Sequence, residues 1–226
     1  MVIKQFEIGD KKLRIHEMEN VSDPKTGRAL TGSWLWESSL YLSEWLTTQT
    51  HLTLVGKTIV ELGAGTGFPG LTAAMIGSNR VILTDVEPLL PGLRKNVESN
   101  GLGDRVEVRE LVWGLEGNDC VEGLIEGEID LVLMSDIFYD QTAMPMLAET
   151  LRRLSNKKEL VVLGAMEVRS ATEVRSGTMD CLGALMEEGF EVIEVHNCCR
   201  SMDSDKTGES VFAIYLIVPP NVTKTL

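Results

Sequence analysis

The chain has 226 residues, of which 43% are hydrophobic and 24% charged, and its formal net charge at pH 7 is −13. This composition excludes a disordered chain, and no apolar run approaches the ~20 residues that a membrane-spanning helix needs. The acidic charge disfavours nucleic-acid substrates, because a phosphate backbone is repelled at long range, and it favours a cationic protein surface as a partner. The length predicts a single domain over residues 1–226.

Residues 1–33 are predicted to form a β-hairpin and a polar loop ahead of the main domain core, residues 34–226. Alternating apolar stretches at Val2–Ile8 and Lys12–Glu17 flank Gly9-Asp10, a pattern typical of a hairpin. The N-terminus has no apolar signal-peptide segment, so we expect a cytoplasmic protein.

The cysteines and histidines indicate neither disulfides nor a metal site. The four cysteines have no Cys-x-x-Cys spacing, which favours reduced thiols: Cys120, Cys181, Cys198 and Cys199. The three histidines are scattered along the chain, and no pair has the spacing of metal ligands.

Helices and strands alternate after the N-terminal loop. A helix is predicted over Leu35–Thr48, with Ser33 or a neighbour as its cap, and strands and helices then follow one another from Thr58 to Glu188. This order predicts a parallel sheet with helices on both faces. The last strands, Glu191–Asn197 and Val211–Val218, are joined by a loop too short for a crossover helix, so they must pair antiparallel. The predicted fold class is α/β, a Rossmann-like seven-stranded, mostly parallel sheet with a last antiparallel strand.

A glycine-rich turn follows the first strand of this sheet, Thr58–Leu62. Gly63, Gly65 and Gly67 allow backbone angles, and a close approach of a ligand, that a Cβ would forbid. The helix that begins after the turn presents unpaired backbone N–H groups, where polar ligand groups commonly bind. The segment therefore predicts a nucleotide or nucleoside site.

Two cofactor classes fit this turn. Gly65-x-Gly67-x-x-Gly70 satisfies the dinucleotide fingerprint, although closely spaced glycines produce that match easily. Glu61 favours the other class, because a buried carboxylate repels a diphosphate but attracts the ammonium of a methionine moiety. Asp85, at the end of the next strand, can accept hydrogen bonds from both ribose hydroxyls in either class. The closing antiparallel strands also disfavour a dehydrogenase.

Acidic and aromatic residues follow the strand Ile129–Ser135. Asp136 and Tyr139 come directly after it, and ligands bind at this carboxyl edge in open α/β sheets. These segments together resemble the class I, seven-β-strand S-adenosylmethionine-dependent methyltransferases. Within that class, Asp136-x-x-Tyr139 is similar to the motif of methyltransferase family 16, whose members are mostly protein-lysine methyltransferases.

Other landmarks of the family occur in the same order. Glu61-Leu-Gly-Ala-Gly-Thr-Gly67 resembles its first motif, and Glu167-Val-Arg169 stands where the family often has Glu-x-Arg. Trp36 and Trp113 stand where the family has tryptophans near the cofactor and the adenine. The resemblance extends from about Thr31 to Arg169 and includes all of these motifs.

The resemblance implies an enzyme that transfers methyl groups from S-adenosylmethionine to a lysine of a protein, such as a translation factor or a chaperone. We expect it to be a monomer. The resemblance implies catalytic positions at Asp136 and Tyr139, and the spacing of the cysteines and histidines predicts no metal. The cofactor-binding residues that it implies are Trp36, Glu61, Gly63, Gly65, Gly67, Asp85, Trp113 and Ser135.

Methyl transfer is an in-line displacement that needs alignment of the two reactants and no covalent catalyst. We assign Asp136 to substrate binding or orientation, because its charge attracts an ammonium but opposes loss of the proton. Tyr139 can offer its ring face to the cation. Segments 140–145 and 166–177 leave neighbouring strands, and we expect them to contact the substrate.

Several alternatives stay open at this point. The same fold can methylate a histidine, an amino terminus or a small molecule, and a cofactor-binding module without catalysis is a further possibility. A nicotinamide-dependent oxidoreductase is disfavoured by Glu61. In purely structural interpretations, Asp136 caps the helix near Thr142, and Trp36, Trp113 and Tyr139 pack in the core.

Overall fold

The computed structural model describes residues 2–114, 123, 128–155, 160–168, 177–201 and 209–220. The N-terminal hairpin has the predicted form, with β1 (Val2–Ile8) paired antiparallel to β2 (Lys11–Glu17). The extent of a single domain over the whole chain, with a boundary at residue 33, stays a prediction.

A seven-stranded sheet forms the centre of the described structure. Its strands are β3 (Thr58–Leu62), β4 (Arg80–Asp85), β5 (Val106–Glu110), β6 (Leu131–Ser135), β7 (Val161–Val168), β8 (Glu191–Ser201) and β9 (Glu209–Val218). The order is β5-β4-β3-β6-β7-β9-β8, and β9 runs antiparallel to both of its neighbours, whereas the pairs from β5 to β7 are parallel. The predicted fold class is confirmed.

Helices cover both faces of this sheet. The described ones are α1 (Glu37–Thr48), α2 (Phe68–Met75), α3 (Leu90–Ser99), α4 (Met144–Ser155) and α5 (Gly177–Glu187). Among the described residues, no helix has the length and apolar character to cross a membrane. The start predicted for the last helix, at residue 171, lies outside the described residues.

The first helix begins later than predicted and without the predicted cap. Ser33 belongs to a single turn of 3-10 helix, Thr31–Ser33, and Trp36 takes the N-cap position with extended backbone angles. The reason is local, because Trp34 is also extended and interrupts the helical path between the two elements. This extended stretch brings the turn at Thr31–Ser33 toward the glycine loop.

Two hydrophobic cores lie on opposite faces of the sheet. Successive side chains of β3 point to opposite faces of the sheet. Val60 and Leu62 belong to the core under α4 and α5, whereas Ile59 belongs to the core under α1, α2 and α3. Glu61 shares the face of Ile59 and therefore lies beneath the helices that flank the glycine loop. The carboxyl of Glu61 therefore lies inside the core that α1, α2 and α3 cover.

Helix α3 fixes the hairpin to the glycine loop. Asn96 accepts a hydrogen bond from the backbone N–H of His16 at 2.7 Å and donates to the carbonyl of Thr66 at 3.0 Å. The side chain of Asn100 accepts a hydrogen bond from the backbone N–H of Arg14 at 2.8 Å and donates one to the carbonyl of Arg14 at 2.7 Å. The hairpin is therefore held at the carboxyl edge of the sheet, where the candidate site lies.

Candidate active site

The glycine loop connects β3 to α2 with three left-handed glycines, Gly63, Gly65 and Gly67, at φ angles of 61°, 55° and 80°. Close approach is greatest at Gly65, where a Cβ would lie 2.6 Å from the carbonyl oxygen of Gly32. The turn at Thr31–Ser33 therefore packs directly on the loop. Only glycine at position 65 permits both the backbone angle and this contact.

Asp85 lies at the end of β4, directly beside this loop. Its Oδ2 accepts a 2.7 Å hydrogen bond from the backbone N–H of Gly65, and its Oδ1 accepts one of 2.8 Å from that of Val86. Burial raises the pKa of this carboxyl to about 6, and the two N–H donors oppose that shift. Each carboxylate oxygen retains further acceptor capacity, so the geometry is compatible with the predicted ribose contact.

Glu61 is fully buried beneath the loop and has 0% of its surface exposed. Its Oε2 accepts a 2.8 Å hydrogen bond from the N–H of Gly70, and its Oε1 has no hydrogen-bond partner among the described residues. Burial raises the pKa of Glu61 to about 8; the Gly70 N–H opposes this shift and the charge of Asp85 adds to it. Glu61 therefore joins β3 to the first turn of α2, and its attraction for a cofactor ammonium stays a prediction.

The raised pKa of Glu61 predicts how stability depends on pH. A carboxyl whose pKa is higher in the folded than in the unfolded state stabilises the fold while it is protonated, and this contribution is lost as pH rises from about 4.5 to about 8. Glu61→Gln stays neutral and keeps an acceptor for Gly70. Between pH 5.5 and 8.5, the melting temperature of the cofactor-free wild type should fall by about 5 °C more than that of this variant. Equal pH dependence of the two proteins contradicts this role.

Trp113 and Ile137 border Gly63 at the other end of the loop. A Cβ on Gly63 would lie 2.8 Å from Cγ2 of Ile137 and 3.4 Å from Cζ2 of Trp113. Trp113 is partly buried and packs against the core under α4 and α5. Trp113, which was predicted to lie by the adenine, is therefore next to the glycine loop. The same side chain also packs against the core.

Trp36 lies at the surface and is not a core anchor, since 37% of it is exposed. Its indole Nε1 donates to the carbonyl of Thr31 at 3.1 Å, and its ring centroid lies 6.5 Å from that of Trp34. Because Thr31 precedes Gly32, this hydrogen bond ties Trp36 to the turn that covers Gly65. Whether the ring contacts a cofactor stays a prediction.

Asp136 follows β6 in a left-handed conformation, with a φ of 55°. Asp is one of the few residues with a side chain that adopts this region readily. Its backbone N–H donates to the carbonyl of Ala165 at 3.0 Å, and its Oδ1 accepts a 2.6 Å hydrogen bond from the hydroxyl of Ser38. The residue before it, Ser135, is half-buried and pairs with Ala165 of β7.

The residues after Asp136 exclude two of the purely structural interpretations. Asp140, and not Asp136, caps the turn that leads into α4, because its Oδ1 accepts from the N–H of Thr142 at 3.0 Å. Tyr139 is 70% exposed and does not pack in the core. Asp136 therefore does not cap α4, and the ring of Tyr139 is exposed near the end of β6.

The remaining motif, Glu167-Val-Arg169, lies only partly within the described residues. Glu167 accepts a 2.6 Å hydrogen bond from the hydroxyl of Ser210 on β9. Arg169 lies outside the described residues, as do residues 170–176 of the segment that we expect to contact the substrate. Among the described residues, no group of three or more His, Cys, Asp or Glu side chains has the geometry of a metal site.

Comparison with known proteins identifies the family. The model of the lysine methyltransferase family matches residues 11–176, well over half of the chain. The chain belongs to this lysine methyltransferase family. The predicted resemblance is confirmed, and with it the assignment as a methyltransferase that modifies protein lysine.

Curated relatives support the same assignment. Protein N-lysine methyltransferase METTL21A of Danio rerio is 37% identical over 165 residues, which are 72% of this chain and 70% of that protein. EEF1A lysine methyltransferase 3 of Mus musculus is 34% identical over 132 residues, 58% of this chain and 54% of that protein. The protein-lysine N-methyltransferase EFM3 of Chaetomium thermophilum is 36% identical over 171 residues, 72% of this chain and 49% of that protein.

Solved structures resemble the lysine methyltransferase in fold. Pyrococcus horikoshii TYW2 in complex with MeSAdo has a TM-score of 0.54 at 15% identity and covers 96% of this chain and 72% of its own. The magnesium protoporphyrin IX methyltransferase ChlM of Synechocystis PCC 6803 with bound SAH also has a TM-score of 0.54 at 15% identity, with coverages of 80% and 82%. At this identity the similarity concerns the fold alone.

Sequence reasoning missed two contacts that shape the site. Ser38 gave no signal, because its hydrogen bond to Asp136 joins residues 98 positions apart. In the sequence, Gly32 marked only the start of the segment that carries Trp36, and its contact with Gly65 depends on the path of the chain between the hairpin and α1. In the second contact, only Gly65 belongs to a sequence motif that predicts a ligand site.

Proposed function

We propose that this lysine methyltransferase uses S-adenosylmethionine as its methyl donor and modifies a lysine on a basic surface of a cytosolic translation factor. The observation that carries the proposal is that Ile137, which directly follows Asp136, lies within contact range of the Cβ position of Gly63 in the glycine loop. An ammonium-binding carboxylate then lies at the edge of the sheet beside the predicted cofactor loop.

The residues present fit S-adenosylmethionine. The loop turns through the left-handed Gly63 and Gly65, and Asp85 beside it offers carboxylate oxygens to ribose hydroxyls. Trp113 supplies an apolar wall beside Gly63. The bound cofactor supplies an electrophilic methyl group on a sulfonium, and the protein contributes position and charge.

The substrate lysine has to lose a proton before it accepts the methyl group. With an ordinary pKa of about 10.4, its neutral form costs ~4 kcal/mol at pH 7.4. Asp136 favours the charged amine, so its proposed role is to bind and orient the ammonium, and the nearby sulfonium charge and burial favour proton loss. Release of the proton to water then leaves the amine aligned for attack on the methyl carbon.

A basic protein surface suits the charge of this enzyme. The chain carries a net charge of −13, which attracts cationic partners at long range and repels nucleic acid. The mouse relative is named for EEF1A, and this name supports a translation factor as the class of substrate. The described cysteines, Cys181, Cys198 and Cys199, are thiols and not disulfides, which suits a reducing cytosol. We propose that the enzyme acts as a monomer.

Tyr139 is expected to contribute to substrate binding through its exposed ring. Tyr139→Ala should lower the rate of protein methylation by about tenfold, because it removes a cation–π surface worth ~1 kcal/mol or more. Tyr139→Phe keeps the ring and should stay within about threefold of the wild type. The measurement is the initial rate of methyl transfer at limiting protein substrate, and equal losses in both variants would point to the hydroxyl group.

The test of the proposed function is labelling of a cell lysate with tritiated S-adenosylmethionine. We expect label in a discrete protein band of the size of a translation factor, and none without the enzyme. Binding of S-adenosylhomocysteine is measured in parallel by quenching of tryptophan fluorescence. Binding of this product with label only in the small-molecule fraction, or with no label, contradicts a protein substrate.

A further inference from the structure

A serine in the first turn of α1 contacts Asp136, the residue after β6. Ser38 is 1% exposed, and its hydroxyl donates the 2.6 Å hydrogen bond to Oδ1 of Asp136 described above. A hydrogen bond to an ionised carboxylate is about twice as strong as one between neutral groups. The contact therefore links α1 energetically to the residue after β6.

The backbone around Asp136 is already fixed, so this hydroxyl acts on the side chain. The left-handed φ of 55° and the bond to the carbonyl of Ala165 hold the main chain in place. The carboxylate still rotates about its own torsions in such a backbone. The hydroxyl of Ser38 restricts that rotation, because it fixes the position of one of the two oxygens.

Ser38 also places the Asp136 carboxylate beside the start of α1. The N-cap of α1 is Trp36, which makes no side-chain capping hydrogen bond. Asp136 reaches the first turn of this helix through Ser38, where the partial positive charge of the helix terminus favours a carboxylate. The same contact thus fixes one oxygen of the Asp136 carboxylate beside the start of α1.

We propose that Ser38 is a positioning residue for methyl transfer, which holds the Asp136 carboxylate in the orientation that receives the substrate ammonium. The inference rests on the proposed function and deepens it, since Ser38 acts through Asp136. Loss of the hydroxyl leaves the contacts of Gly63 and Gly65 intact, because Ser38 is not among them. A defect in Ser38 variants should therefore appear in methyl transfer and not in cofactor binding.

The test compares Ser38→Ala with Ser43→Ala. Ser43 lies in the same helix, is 0% exposed and donates a 2.7 Å hydrogen bond to the carbonyl of Ser39, so it controls for loss of a buried hydroxyl in α1. Ser38→Thr keeps a hydroxyl at the tested position. For each protein we measure the initial rate of tritiated methyl transfer to lysate protein, the KM for S-adenosylmethionine and the melting temperature.

We expect Ser38→Ala to lose about tenfold in rate, which equals ~1.4 kcal/mol, with the KM for S-adenosylmethionine within twofold of the wild type. Ser43→Ala should keep its rate within twofold, and Ser38→Thr should regain at least half of the wild-type rate. The proposal is overturned if Ser38→Ala matches Ser43→Ala, or if its rate loss follows a rise in the KM for the cofactor. It is also overturned if Ser38→Thr is as slow as Ser38→Ala at equal melting temperature.

Failure of the proposed function gives a different result. A wild type that binds S-adenosylhomocysteine but labels no protein contradicts the proposed substrate. This result also contradicts the role of Ser38, because that role depends on the substrate. A wild type that labels protein at the same rate as Ser38→Ala overturns the role of Ser38 alone.

Discussion

The Asp136→Asn variant is expected to lose methyl transfer by about 100-fold or more while it keeps its fold and its affinity for S-adenosylhomocysteine. Removal of one partner from a buried, hydrogen-bonded charge pair costs ~2–5 kcal/mol, and 100-fold corresponds to ~2.7 kcal/mol. Asn is the suitable substitution, because it tolerates the left-handed φ of 55° and still accepts a hydrogen bond from Ser38. Asp136→Ala would add backbone strain to the loss of charge.

A matched control lies at the other end of the same strand. Asp130 precedes β6, and its carboxylate accepts hydrogen bonds from Lys57 and from the backbone N–H of Thr58, both away from the glycine loop. Asp130→Asn should lower the melting temperature and leave the rate per folded molecule within about threefold. A rate for Asp136→Asn that is equal to that of Asp130→Asn contradicts the assignment of Asp136.

Gly65→Ala is the second substitution with a large expected effect, and it acts on the cofactor. The new Cβ lies 2.6 Å from the carbonyl oxygen of Gly32, so either the glycine loop or the turn at Thr31–Ser33 has to move. Overpacking of this kind costs ~1–3 kcal/mol, and the left-handed backbone adds ~1 kcal/mol. We expect the dissociation constant for S-adenosylhomocysteine, measured by tryptophan fluorescence, to rise by at least about tenfold.

Gly101→Ala separates the two causes of this effect. Gly101 has a φ of 64°, close to that of Gly65, but a Cβ there has nothing within 4 Å. The free energy of unfolding of this variant should fall by ~1 kcal/mol, because only the backbone conformation is disfavoured. Its binding of S-adenosylhomocysteine should be unchanged. If Gly65→Ala also binds with wild-type affinity, the turn at Thr31–Ser33 does not couple to the cofactor site.

Strong local patterns made most of the fold predictable. The alternation of strands and helices after residue 57 gave the parallel sheet, and the short loop before β9 required an antiparallel partner. The start of α1 was predicted less well, because Trp34 and Trp36 are extended and no side chain caps the helix. Apolar periodicity does not reveal where an uncapped helix begins.

The candidate site was predictable where its residues follow strands directly. Gly65, Asp85 and Asp136 come at strand ends, and the rule that ligands bind at the carboxyl edge brought them together. The environment of Glu61 was not predictable, since a strand position does not show that its carboxyl contacts Gly70 beneath α2. The contact of Ser38 with Asp136 was also beyond the sequence, because it depends on how α1 packs over β6 and β7.

The most direct test of the central claim is tandem mass spectrometry of the protein band that the enzyme labels with deuterated-methyl S-adenosylmethionine. The account predicts a mass increase on the Nζ of a lysine in a translation factor, absent when Asp136→Asn replaces the wild type. Label on a histidine, on an amino terminus or on no protein at all would contradict it.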